Sequence, residues 1–173
     1  MTVTPHWYLS GGATNSDPTL SIGGAKSSVQ VSSTELDSVF DDTTGDEAAS
    51  GHTDYRLLYV QNDGDTDWVA PVGWFTFHPR NPASPYTVNG DTISAAMAAA
   101  GKNAPETAIA NDHTAPADVT FANPSTKGTG VALTSPDYAA GDYIGVWLRR
   151  VVPSSQSYSS GNEWSYVVEG DDA

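Results

Sequence analysis

Four histidines and several closely spaced aspartates are the residues of this chain whose types could do chemistry. His6, His52, His78 and His113 lie far apart, each beside turn residues. Two of them sit near an aspartate, in Asp112-His113 and His52-x-Asp54, so a carboxylate-oriented imidazole base is conceivable. Sequence neighbours on a strand point to opposite faces, which argues against a catalytic pair. The histidines therefore read as loop residues hydrogen-bonded locally. Gly-x-Ser-x-Gly and His-Glu-x-x-His are absent, and Gly101-Lys102 is followed by Asn103 without the leading glycine of a P-loop. With no cysteine, disulfides, thiol catalysis and zinc–thiolate sites are ruled out. Asp63-Gly64-Asp65-Thr66-Asp67 alternates aspartates as calcium loops do. Trp68 stands where the EF-hand glycine belongs, however, and Trp74 where its closing glutamate belongs. Asp63, Asp65 and Asp67 are thus only weak candidates for holding Ca or Mg, and the main reading is solvated turn acids. The same holds for Asp41, Asp42, Asp46 and Glu47. No catalytic residue and no cofactor is expected.

The charge narrows the partners. Acids outnumber bases 21 to 7 in 173 residues, a formal net charge of −14. Such a surface repels nucleic acid. It also repels itself until salt shortens the Debye length to about 3 Å near 1 M. An aspartate-rich chain with only Lys26, Lys102 and Lys127 as lysines suits a high-salt medium. No apolar run approaches the roughly 20 residues of a membrane helix. The first six residues lack the basic and apolar stretches of a signal peptide, and none is expected.

The elements that must position these residues read as β. Tyr55–Gln61 and Tyr143–Val151 are the strongest strands, apolar on both faces except at arginines. Asn62-Asp63-Gly64-Asp65 reads as a hairpin turn into a strand from Trp68 to His78, bent at Pro71 and Gly73. Shorter apolar pieces occur at Val3–Leu9, Leu20–Ile22, Thr107–Ala110, Asp118–Phe121, Gly130–Leu133 and Trp164–Glu169, the last followed by a polar tail. Ser32 with Glu35 three residues on predicts a capped helix through Phe40. Ile93–Ala100 reads as a second short helix closed by Gly101. Three prolines in Pro79–Pro85 forbid regular structure there. The fold class is therefore all-β: a β-sandwich of seven or eight short antiparallel strands, with one or two short helices. Residues 1–31 read as an extended N-terminal arm broken by paired glycines, and 32–173 as the sandwich domain.

Aromatics and arginines mark the contact surface. Trp68, Trp74, Trp147 and Trp164 fall in strand patterns, where core or interface packing is commoner than a sugar platform. On the last long strand Ile144, Val146 and Leu148 form one stripe, and Tyr143, Trp147 and Val151 the other. One stripe fills the core. The other needs a cover, from a loop of this chain or from another subunit. Arg149 and Arg150 face opposite ways, so one should point inward or into a subunit contact and pair with a carboxylate. Trp147, Arg149 and Arg150 are accordingly expected at a homo-oligomer contact.

Several phrases in order resemble a family of small structural proteins encoded among the virion genes of tailed phages. They are Leu9-Ser10-Gly11-Gly12-Ala13-Thr14-Asn15-Ser16-Asp17-Pro18 with Leu20-Ser21-Ile22-Gly23-Gly24-Ala25, Val39-Phe40-Asp41-Asp42 with Gly45-Asp46-Glu47-Ala48, and Tyr55-Arg56 leading into Tyr59-Val60. Thr114-Ala115-Pro116-Ala117-Asp118-Val119-Thr120-Phe121, Val146-Trp147-Leu148-Arg149-Arg150 and the ending Val168-Glu169-Gly170-Asp171 continue the series. The Pro79–Pro85 loop is longer than the family pattern. The resemblance implies a non-enzymatic virion protein located in the particle, with other virion proteins as partners. A capsid decoration or turret subunit of a haloarchaeal tailed virus is the first expectation. A tail or baseplate component is the alternative within the particle, and a host-surface carbohydrate-binding module the alternative outside that class.

Overall fold

A computed structural model describes residues 2–32, 38–76, 87–88, 91–155 and 164–173. Among them nine strands form two antiparallel sheets: β1 (Pro5–Leu9), β2 (His52–Asn62), β3 (Trp68–Thr76), β4 (Thr87–Val88), β5 (Asp91–Met97), β6 (Val131–Ala132), β7 (Asp137–Tyr138), β8 (Tyr143–Val152) and β9 (Ser165–Asp172). The first sheet runs β1-β2-β8-β5-β4. In the second, β9 lies along one side of β3, and β6 and β7 follow each other along the opposite side.

The pairing of β2 with β8 sets the layers. Their register puts Leu58 opposite Val146 and Val60 opposite Ile144. These residues, with Leu148 and with Ile93 and Ala95 of β5, pack on Trp68, Phe75, Tyr138 and Val168 of the second sheet. Residues one position along face the other way. Tyr55, Leu57, Tyr59 and Trp147, with Ala96 and Ala98, form a separate outer cluster under Ile109, Val119 and Phe121. The first sheet is therefore buried on both faces: by the second sheet within, and outside by a mostly irregular cover between β5 and β6.

Several expectations change. Ile93–Ala100 is largely strand. Ala95 and Ala96 are fully buried between β8 and its two coverings. Ala98 lies against Gly145 so closely that a Cβ there would stand 2.8 Å away. This close packing, which admits only small side chains, overrides the helix propensity of the alanine run. Of the first expected helix, 33–37 lie outside the described residues, and Phe40 packs into the core. The helix that does form is α1 (Gly45–Ser50). Thr44 caps it by accepting from Glu47 N, while Glu47 reaches back to Thr44 N at 2.8 Å. Phe77, His78 and the Pro79–Pro85 loop fall outside the described residues.

The turn after β2 is a crossing between sheets, not a hairpin. Its amides pair with the residues just before β1, Asp63 N on Thr4 O and Asp65 N on Thr2 O. Gly64 sits so close to that segment that a Cβ would come within 2.1 Å of Thr2 O. The N-terminal segment is likewise no free arm. β1 pairs along the whole of its length with β2, and the chain returns to place Val29 O on Leu9 N and Val31 N on Trp7 O. Trp7 and Leu9 enter the inner core and Tyr8 the outer cluster, so both faces of this edge strand are used. The bend in β3 is a bulge: Ala70 has φ 47° and the register shifts between Val69 and Val72. The expected polar tail continues β9 through Asp172.

Candidate functional site

The densest chemistry lies at the start of β2, past the end of its aliphatic face. Alternate residues of a strand share a face, so His52, Asp54 and Arg56 follow Leu58 and Val60 on the inner side. Register brings Arg150 of β8 directly opposite Asp54. Arg150 donates to Asp54 Oδ2 from Nε at 3.0 Å and from Nη2 at 2.7 Å. His52 Nε2 meets the same oxygen at 2.9 Å. Arg56, 0% exposed, donates to Asp112 Oδ2 at 3.1 Å and to Asp41 Oδ1 at 3.4 Å. The Phe40 ring lies 5.7 Å from the Arg56 guanidinium and 5.0 Å from that of Arg150.

Asp112 and His113 arrive from the outer cover because β1 stops pairing at Leu58 and leaves that edge of β2 open. Tyr55 N takes Asp112 O there at 2.7 Å. His113 Nδ1 reaches Thr53 O at 3.0 Å and Asp54 Oδ1 at 3.2 Å, while Nε2 lies 3.6 Å from Asp112 Oδ1. The Thr53 carbonyl, outweighing partial burial and joined by Asp112, Asp54 and Glu47, raises the His113 pKa above its ordinary value. Three carboxylates face two guanidiniums, so a proton on His113 balances the cluster. His52 Nδ1 and Arg56 Nε are buried there without a hydrogen-bond partner.

As chemistry, this is an ion-pair lock between β2, β8, the Phe40–Asp41 segment and the outer cover. Both imidazoles spend a nitrogen on Asp54, and among the described residues no hydroxyl hydrogen-bonds to either. Asp54, Asp112 and His113 each offer a ligand atom, all within 4.8 Å of one another. Arg150 and Arg56 already neutralise those carboxylates, and a divalent cation would have to compete with both.

Asp63, Asp65 and Asp67, the weak cation candidates, do not converge on one another among the described residues. Asp63 accepts from Tyr8 Oη at 2.6 Å, from His6 Nδ1 at 2.7 Å and from Gln61 Nε2. Burial would raise its pKa, but the Tyr8, His6 and Gln61 donors outweigh that and hold it below the usual carboxylate value. Asp65 accepts from Thr2 N at 2.7 Å. The Asp67 carbonyl receives Ala173 N at 3.1 Å. The side chains of Asp63 and Asp65 thus tie the N-terminal segment to the turn after β2, and the Asp67 backbone ties Ala173 there.

The three expected contact residues separate. Trp147 is 0% exposed beneath the cover, so its side chain is covered from within the chain and is not presented to another subunit, while Tyr143 and Val151 of its stripe are half-buried. Arg150 turns inward onto Asp54. Arg149 lies on the outer face, with Nε on Ser94 Oγ at 2.9 Å and its guanidinium 4.7 Å from the Phe121 ring centre. Sequence reasoning discounted His52-x-Asp54 by treating the two as neighbours. Their spacing of two on a strand puts them on one face, and that was the available signal. Nothing local to Asp112-His113 announces docking on a strand edge 56 residues away.

Compared with protein-family models, with curated proteins and with solved structures, the chain matches none.

Proposed function

We propose that the chain is a non-enzymatic structural subunit of a tailed virus particle, a capsid decoration or turret protein that assembles with copies of itself in a salt-rich medium. The observation that carries this reading is the disposition of charge. Arg56 and Arg150 are drawn into the fold, while Asp17, Asp42, Asp46, Asp65, Asp67, Asp137, Asp171 and Asp172 stand exposed. Such a surface favours solubility in concentrated salt over capture of an anionic ligand. The imidazole–carboxylate contacts serve as ties between segments, consistent with a structural role. The resemblance of the chain's phrases to small virion proteins supplies the particle.

The test is localisation. Particles purified from the virus encoding this chain should contain it, and an antibody label should mark the capsid shell. Label on the tail instead makes it a tail or baseplate component. Absence from particles overturns the virion reading. A carbohydrate module then becomes the reading to test, although among the described residues the only exposed large hydrophobic side chain is Leu20, so no tryptophan stands out as a stacking platform.

A further inference from the structure

The ion pairs at the start of β2 leave part of their donor set unused. Arg150 and His52 meet Asp54 through Oδ2, and Arg56 meets Asp112 through Oδ2. The other oxygen of each carboxylate turns to His113. Asp54 Oδ1 stands 3.2 Å from its Nδ1, and Asp112 Oδ1 3.6 Å from its Nε2. The Thr53 carbonyl accepts from Nδ1 at 3.0 Å, so in the neutral ring Nε2 carries the lone pair. A backbone carbonyl on one ring nitrogen is a common partner of an imidazole that binds metal through the other. Asp54, Asp112 and His113 can each bring a ligand atom within 4.8 Å of the other two. Ligands about 2.0–2.1 Å from a tetrahedral ion lie about 3.3 Å from one another, so small side-chain rotations close the set.

A second imidazole points the same way. The His52 side chain is 9% exposed, and its ring lies 5.9 Å from that of His113. With its Nε2 hydrogen on Asp54, the neutral ring keeps Nδ1 as a buried lone pair that has no hydrogen-bond partner among the described residues. Buried polar atoms are nearly always met, and an unmet lone pair beside carboxylates suits a cation. Charge agrees. Glu47 also acts on His113, so Asp41, Asp54, Asp112 and Glu47 set four negative charges against the two guanidiniums of Arg56 and Arg150. The excess matches one divalent cation.

We propose that Asp54 Oδ1, Asp112 Oδ1 and His113 Nε2 bind a divalent transition-metal ion of the zinc class, with His52 beside it as a fourth ligand or water in that place. Mixed imidazole and carboxylate donors suit such an ion better than calcium or magnesium, which take oxygen ligands. Each arginine keeps its own carboxylate oxygen and holds that ligand in place from behind. The ion fastens the outer cover to β2 where the strand edge is open. Nothing in this depends on the virion reading.

The whole chain, freed of metal with EDTA and dialysed, is titrated with zinc nitrate by calorimetry in molar sodium nitrate, because chloride complexes zinc. One zinc should bind per chain, and a roughly hundredfold excess of magnesium should not displace it. At about 100 times Kd the melting temperature should rise by roughly 5–10 °C. His113→Gln and Asp112→Asn should each weaken binding at least about tenfold. His6→Gln, among the aspartates at the other end of β2, should bind as the wild type does. A second measurement needs no variant: zinc should shift the His113 ring resonances of the wild type and leave those of His6 in place. A wild type that binds no zinc overturns the site. So do several weak equivalents that His113→Gln leaves untouched, or a shift of His6 without one of His113, because the acidic surface would then merely gather cations.

Discussion

Strand β2 begins and ends in a histidine–aspartate contact, and the two differ in almost everything but composition. At its start Asp54, with a side chain 3% exposed, is held by Arg150, His52 and His113. Just past its end Asp63, with a side chain 21% exposed, is held by His6, Tyr8 and Gln61, and among the described residues no guanidinium pairs with it. Along the strand the two lie roughly 30 Å apart at about 3.3 Å per residue. The first ties four separated segments together where water is scarce, and each partner there depends on the others. The second fastens an edge strand where water can replace a lost partner. Burial, rather than the residue pair, decides how much such a contact holds.

The largest effect should come from breaking the buried end. Asp54→Ala leaves Arg150 and its neighbours with an uncompensated charge and should cost about 3–5 kcal/mol in urea unfolding. Replacing both partners, Asp54→Leu with Arg150→Met, should recover much of that loss, because apolar packing substitutes for a buried pair. A double variant as unstable as the single one would show that the cluster's worth lies outside this pair. At the wet end Asp63→Asn should cost about 1–2 kcal/mol, because partly exposed donors regain water. If the two single variants cost the same, burial is not what separates the two ends.

How far each end was legible follows from the distance over which its parts are gathered. The two long strands and their faces are written in local alternation, and so is the opposite orientation of Arg149 and Arg150. His52-x-Asp54 was equally local, but reading the pair as neighbours hid it. The contributions of Asp41, Asp112 and His113 were not legible, because they depend on how irregular segments return to an open strand edge, and hydrophobic periodicity carries no such information. The same gap concealed the cover over Trp147, so its burial suggested a second subunit. At the other end the alternating aspartates were conspicuous, but the N-terminal residues that meet Asp63 and Asp65, His6, Tyr8 and Thr2, were not.

Salt offers a sharper contrast. The melting temperature of the wild type should rise between 0.1 and 3 M NaCl as self-repulsion is screened, from a Debye length of about 10 Å to below about 3 Å. Over that range the penalty of Asp63→Asn should shrink, while that of Asp54→Ala persists, because buried pairs are screened much less. A wild-type melting temperature that is flat or falls with salt would argue against adaptation to a high-salt medium.

The smallest effect, and the most diagnostic of the two ends, is their opposite response to pH. The carboxyl of Asp63 titrates below its ordinary 3.8 in the folded chain. Its stabilisation is present above 3.8 and lost as pH falls through the lowered value. Asp17, Glu47 and Asp142 are also lowered and share that acid limb, so the informative quantity is wild type minus Asp63→Asn. His113 titrates above its ordinary 6.5, so its stabilisation is complete below 6.5 and lost as pH rises through the raised value. The side chain is 54% exposed, and solvent discounts its share to about 0.5 kcal/mol. His113→Gln should therefore differ from the wild type near pH 5 and converge with it near pH 9, whereas Asp63→Asn should differ at pH 7 and converge in strong acid. Chemical denaturation across that range reads both. A His113→Gln penalty that grows with pH would mean that the imidazole acts there as a neutral hydrogen-bonding group, and that the buried cluster is balanced without its proton.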